Sequence, residues 1–180
     1  MQASKAHRTA TLVILGLLLL PAAARAQYAK DQKFLGAHVG MSGVGSTAAF
    51  GVNGEVAYNE HIGIGGWADT WSYGDSYSYL GGSYSWNVRY VALAGTGAYH
   101  FTIKSNRKVD PFAGAALGYY IVSTSANADG PAGATYQGSA NRMFVGGYGG
   151  VRYFFKPSLS GVARAGFGAS YLTLGLDWKL

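Results

Sequence analysis

The chain has 180 residues, no cysteine, and only 12% charged residues, against 28 glycines and 14 tyrosines. The lack of cysteine rules out a disulfide framework. The formal net charge of +6 comes from scattered residues, the densest group being Lys104, Arg107 and Lys108, so no basic footprint for nucleic acid exists.

The first element is a targeting segment. Lys5, His7 and Arg8 precede the apolar run TATLVILGLLLL, residues 9–20, and Pro21 leads to the small-residue site Ala24-Arg25-Ala26 before Gln27. This is the layout of a secretory signal peptide, and the run is shorter than the roughly 20 residues a membrane helix needs. Cleavage after Ala26 is expected, with residues 1–26 as the signal and 27–180 as one mature domain. Losing Lys5, Arg8 and Arg25 lowers the formal charge from +6 to +3.

No helix-length apolar run follows, and the glycines disfavour helices at about 1 kcal/mol each in an interior. What recurs is period-two alternation broken by turns. KFLGAHVGMS sets Leu35, Ala37, Val39 and Met41 against Gly36, His38, Gly40 and Ser42. AFGVNGEVAY sets Phe50, Val52, Val56 and Tyr58 against Gly51, Asn53, Glu55 and Ala57. After the turn at Asn59-Glu60, a third segment runs from about Ile62 to Tyr73. A fourth runs from about Tyr84 to Phe101, with Trp86, Val88, Tyr90, Ala92 and Ala94 opposite Asn87 and Arg89. The turn KSNRKVD leads to PFAGAALGYYIV. Then come NRMFVGGYGGVRYFF, the turn Lys156-Pro157-Ser158, LSGVARAGFGA and YLTLGLDWKL.

These segments predict eight strands of about 10–14 residues, longer than the usual 5–6 and long enough to cross a bilayer with tilt. Turns around 59–61, 103–108 and 156–158 are short and polar, while the connections at about 72–84 and 123–140 are long. Together they predict an all-β, eight-stranded antiparallel up-and-down transmembrane barrel with both termini periplasmic. Closure is required because hydrocarbon leaves no solvent for an open edge. Gly51, Gly95, Gly97, Gly114, Gly118, Gly150 and Gly166 are read as inward glycines that fit a narrow interior. A secreted soluble barrel of the lipocalin kind, apolar inside, would have to present Gly, Asn, Glu, Arg and Asp to water, a face with too few charges for a soluble surface.

The end of the chain carries a second signal. Thr173-x-Gly175-x-x-Trp178-x-Leu180 resembles the carboxyl-terminal motif of outer-membrane proteins, with Leu180 where Phe is usual. The resemblance implies recognition by the barrel-assembly machinery, for which an amphipathic edge strand is a suitable substrate. With VDPFAGAALGYY and GGVRYFF, residues 33–180 resemble the small outer-membrane β-barrel family of OmpX, OmpW, the OmpA barrel domain and the opacity-type surface proteins.

Candidate functional residues fall into three groups. By alternation Glu55, Arg89, Arg152, Arg164 and Asp177 face the interior, with Asp69 less securely placed; Asp177 is the expected partner of Arg164. They form either a salt-bridged plug or the selectivity ring of a narrow channel. Within Trp71–Trp86, Tyr73, Tyr77 and Tyr79 are the candidate binding surface, while Trp71, Tyr84 and Trp86 are assigned to the aromatic belt. The connection around 123–140 reads as a small, polar, mobile loop. Of the histidines, His38 is expected to pack inside, His61 to lie in a turn, and His100 to sit in the belt near a periplasmic turn. No Ser/His/Asp set and no metal-ligand cluster is legible. The reading is a non-enzymatic, monomeric outer-membrane barrel without cofactor, structural or surface-interacting through its loops. Its partners are lipid, the assembly machinery and an unidentified external ligand. A narrow channel for small or apolar solutes is the alternative, and a lipid-modifying enzyme a more remote one.

Overall fold

The computed structural model describes residues 28–79, 82–129 and 134–180. Its eight strands are β1 (Lys33–Ser42), β2 (Ala48–Ala57), β3 (Ile62–Tyr79), β4 (Gly82–His100), β5 (Val109–Asp129), β6 (Ala134–Lys156), β7 (Leu159–Phe167) and β8 (Ser170–Lys179). Each pairs antiparallel with the next, and β8 closes on β1 from Phe34↔Lys179 to Ser42↔Ser170. Every edge within the barrel is thereby satisfied, which is how a sheet can be apolar on its outside without aggregating. The proposed signal peptide and cleavage site (Ala24, Ala26, Gln27) lie outside the described residues.

The strands differ in length far more than the sequence suggested. β1, β2, β7 and β8 have 9 or 10 residues, whereas β3 to β6 have 18 to 23. β2 stops pairing with β3 at Phe50↔Thr70, and β7 stops pairing with β6 at Phe167↔Gly147. Past those points β3–β4–β5–β6 continue as a four-stranded wall on one side of the mouth. From Trp71 to Tyr79 the wall adds about 30 Å of strand at ~3.3 Å per residue. Residues 123–129 and 134–140, expected as a loop, are therefore the paired upper halves of β5 and β6.

The outer surface switches character at one height. Below, it is apolar: Leu35, Val39, Val52, Ile64, Leu93, Leu117, Tyr119, Ile121, Val145 and Leu174 are all exposed. Tyr58, Tyr99, Phe101 and Trp178 are exposed near the end where the chain enters β1 and leaves β8, here called the lower end. Above the level of Val91 and Ile121 the same outward parity on β4 and β5 reads Arg89, Asn87, Ser85, Ser83 and Ser123, Ser125, Asn127. From Phe101 to Val91, ten residues at a tilt near 40° span about 25 Å, the height of an outer-membrane apolar band.

Inside, the polarity is reversed at each level. The lower half of the lumen holds the ionic groups above an aromatic floor, and the upper half is aromatic without ion pairs. Trp71, Tyr90 and Tyr120, all buried, form a cluster with Ala49, Ala92, Val122 and Ala169. Trp71 stacks on Tyr90 at 5.0 Å, and both meet Tyr120 edge-on at 5.9 and 6.1 Å. The expectation that Trp71 belongs to the lipid-facing belt is thus corrected. Tyr84 and Trp86 also lie on the inward parity, above the band. Gly95 and Gly97 are corrected too: they face outward, and a Cβ on either would meet nothing within 4 Å.

Candidate functional site

The lumen is built on glycines opposite charges. His38 sits in register between Gly51 of β2 and Gly175 of β8, Gly36 sits opposite Asp177, and Gly51 opposite Asp69. A Cβ on Gly36 would strike the Asp177 carboxylate, one on Gly51 the Asp69 carboxylate and the His38 ring, and one on Gly175 the His38 side chain. Each large polar group lies flat across the bare backbone of its neighbour. That arrangement lets an eight-stranded interior, just wide enough for side chains, hold ionic groups at all.

At the centre of the lower layer is Arg152, 1% exposed. Its Nε and Nη2 donate to Asp177 Oδ2 at 3.1 and 2.9 Å, Nη1 and Nη2 both donate to Glu55 Oε1 at 3.2 Å, and Nη1 donates to Asp110 Oδ2 at 3.2 Å. The guanidinium also lies 4.1 Å from the centroid of Phe34, so its face is covered as its edges are bonded. One cation thus holds three carboxylates from three strands. His100 stands beside it, with Nδ1 2.8 Å from Asp110 Oδ1 and Nε2 3.5 Å from Glu55 Oε1.

A second layer lies above. Asn53 Nδ2 donates to Asp177 Oδ1 at 3.0 Å, and its Oδ1 accepts from Arg164 Nη1 at 3.4 Å. Arg164 Nη2 is 3.8 Å from Asp177 Oδ2. His38 Nδ1 is 3.1 Å from Asn53 Oδ1 and its Nε2 is 2.6 Å from Asp69 Oδ1; Ser170 Oγ donates to Asp69 Oδ2 at 3.2 Å. A cavity of about 30 Å³ touches His38, Trp67, Asp69, Tyr148, Arg164 and Thr173, enough for water and nothing larger. The floor is closed by Tyr28, which precedes β1, stacks on His100 at 3.6 Å and joins Phe34, Ala57 and Phe154. Burial raises the pKa of the Tyr28 phenol above its usual range.

Of the residues singled out from sequence, Glu55, Arg152, Arg164 and Asp177 meet in this network, with Arg152 rather than Arg164 as the main partner of Asp177. Asp69 is buried with His38. Arg89 is a correction: it is exposed on the outer face beside Ser72 and Ser123. His100 is the matching correction, being buried in the network rather than set in the belt. One phase error on β4 produced both. The apolar residues Trp86, Val88 and Tyr90 point inward, whereas Leu93 and Tyr99 point outward, and the sequence reading applied a single phase to the whole strand. Asp110, expected in the turn KSNRKVD, is the second residue of β5 and shares the inward parity of Gly114 and Gly118.

The wall carries the aromatic candidates. Tyr73 is half-buried and braced by Trp86 at 5.6 Å and Tyr90 at 6.0 Å. Tyr77 is exposed and rests against Tyr84 at 5.1 Å. The side chain of Tyr79 lies outside the described residues. On β8, Thr173 and Gly175 face inward while Trp178 is exposed on the outer face, and Leu180 donates its N–H to Lys33 O at 2.9 Å.

Solved structures share this architecture. The N-terminal β-barrel domain of Pseudomonas aeruginosa OprF matches at a TM-score of 0.59 and 13% identity, over 84% of this chain and 98% of that one. Ail, the attachment invasion locus protein of Yersinia pestis, matches at 0.56 and 12%, over 84% and 99%. A de novo designed transmembrane β-barrel matches at 0.51 and 12%, over 86% and 99%. The fold is that of the small outer-membrane barrels. No family model and no curated protein sequence matches the chain.

Proposed function

We propose that this chain is an integral outer-membrane barrel whose lumen is a structural plug and whose role, structural or surface-interacting, is exercised by the wall above the membrane. The observation that carries the reading is the pair of opposed polarity switches at the level of Val91. The outer face passes from apolar to Ser/Asn and the inner face from ionic to aromatic. The lower part suits hydrocarbon outside and the upper part suits water. The lower end, with both termini, is then periplasmic, and Thr173, Gly175, Trp178 and Leu180 form the signal for the assembly machinery. The attachment role in Ail's name belongs to that protein and is carried to this one only as part of the proposal.

The channel alternative would need a path past Tyr28, Arg152 and the Trp71–Tyr90–Tyr120 stack, each of which fills the lumen at a different depth. An enzymatic role finds little support in Ser170, which donates to Asp69 rather than to His38. A nucleophile activated by a base needs the second contact. The test is to refold residues 27–180 into planar bilayers and record single-channel current. Inserted protein that stays silent is expected; steady conductance would overturn the plug and favour the channel.

A further inference from the structure

The charged side chains are sorted by height. In the lumen, Arg152 and Arg164 share the space with Glu55, Asp69, Asp110 and Asp177, so acids outnumber bases there. Above the band, the outer face carries one base, Arg89, and one acid, Asp129, and the inner face of the wall carries Arg142 and Asp75. Every other base among the described residues lies at the lower end. Lys30, Lys33, Lys104, Arg107 and Lys156 are exposed there, Lys179 is half-buried and Lys108 is buried. Asp31 and Glu60 are the acids at that level. The five exposed bases and Lys179 enter no ion pair among the described residues.

The lower end is also where the outer face turns from aliphatic to aromatic. Tyr58, Tyr99, Phe101 and Trp178 are exposed at its rim, and such residues settle at the level of lipid headgroups. One row across the outer face there reads Leu35, Trp178, Leu159, Lys156. Lys33 is the next outward position below Leu35, about 7 Å further down β1. Trp178 thus stands on the lipid-facing side with a lysine on each flank, Lys33 one strand away and Lys156 two. A lysine stem lying along apolar surface carries its ammonium out to the phosphate level. Unpaired bases gathered at one end of a barrel attract anions to that end and not to the other. A soluble polyanion would meet the turn residues Lys104 and Arg107. Lys33 is out of its way, because its neighbours on the outer face are Val56 and, one row up, Leu35 and Trp178.

We propose that the lower rim selects anionic phospholipid from the surrounding leaflet, with Lys33 and Lys156 holding the anionic headgroups on either side of Trp178. The inference rests on the reading that the apolar band is embedded in a bilayer with this end facing the periplasm. Of the four tryptophans, Trp178 alone lies on the lipid-facing surface, since Trp67 and Trp71 face the lumen and Trp86 the inner side of the wall. Its fluorescence therefore reports the lipid at this rim. Full mature protein would be reconstituted in phosphatidylcholine bilayers with rising fractions of phosphatidylglycerol, one lipid or the other carrying bromine on its acyl chains. Brominated phosphatidylglycerol is expected to quench Trp178 as though enriched about fivefold over its bulk fraction, and less so with added salt. Lys33→Gln combined with Lys156→Gln should remove the enrichment, while Arg89→Gln, at the other end of the band, leaves it unchanged. Quenching by the two brominated lipids in proportion to their amounts, or enrichment that survives the paired lysine variant, would overturn the proposal and leave the membrane reading standing. So would binding of soluble polyglutamate without any lipid preference, which assigns the rim to an acidic partner in the periplasm. Absence of quenching by either lipid would defeat the membrane reading and this inference together.

Discussion

Arg152 concentrates the ionic character of the lumen in one side chain. Removing it by Arg152→Ala takes away the one cation that Asp177, Asp110 and Glu55 share, leaving Arg164 at 3.8 Å from Asp177 and His100 beside the other two. The expected cost is about 3–5 kcal/mol, read as a lower urea midpoint for unfolding in lipid. Arg152→Lys keeps the charge but loses the planar fork that reaches three acceptors at once, and should fall between the two. The glycines give a second contrast. Gly51→Ala places a methyl on the Asp69 carboxylate, the His38 ring and the carbonyl of Ala68, and should cost about 1–3 kcal/mol as overpacking does. Gly95→Ala, on the open outer face, should leave the midpoint unchanged or raise it slightly. Equal effects of the two would contradict the inward and outward assignments of these glycines.

At the scale of the strand, β5 is a ruler for the apolar band. Leu117→Arg, within the band, should destabilise by about 2–4 kcal/mol, and Ser123→Arg, three outward positions higher, by no more than about 1. Similar losses at both would mean that the band does not end at Ile121. The strand number, the turns at the lower end and the phases of β1, β2 and β8 were legible in the sequence. Those strands are short and live wholly within one environment, so a single alternation describes them. β4 crosses from one solvent to another, and its apolar face changes sides at Val91–Ala92, where both residues are apolar and the phase is ambiguous. Arg89, His100, Gly95 and Gly97 differ from expectation for this one reason, and Trp71 for its counterpart on β3, where the outward Ile62 and Ile64 give way to the inward Trp71 and Tyr73. The upper halves of β5 and β6 were missed because Ser, Ala, Gly and Asn dominate there. That composition normally marks a loop; here cross-strand pairing in the wall overrides it.

For the molecule as a whole, barrel and wall are separable structures sharing four strands. Closure, the ionic layers and the two aromatic clusters all lie at or below the level of Tyr73. Replacing residues 75–86 and 126–136 with Asn-Gly turns, between the paired positions Gly74↔Asn87 and Ser125↔Gln137, should give a barrel that still folds and inserts with its heat-modifiable migration intact. Loss of insertion would show that the wall is part of the folding unit. The alternation that runs unbroken up these hairpins also constrains how their height can change. Adding one residue to a strand would exchange its serine and aromatic faces, whereas adding two to each strand of a hairpin preserves both faces and every pairing beneath. Among descendants of this chain, the wall should grow or shrink in such even steps, while the nine- and ten-residue strands opposite, bound by closure, keep their length.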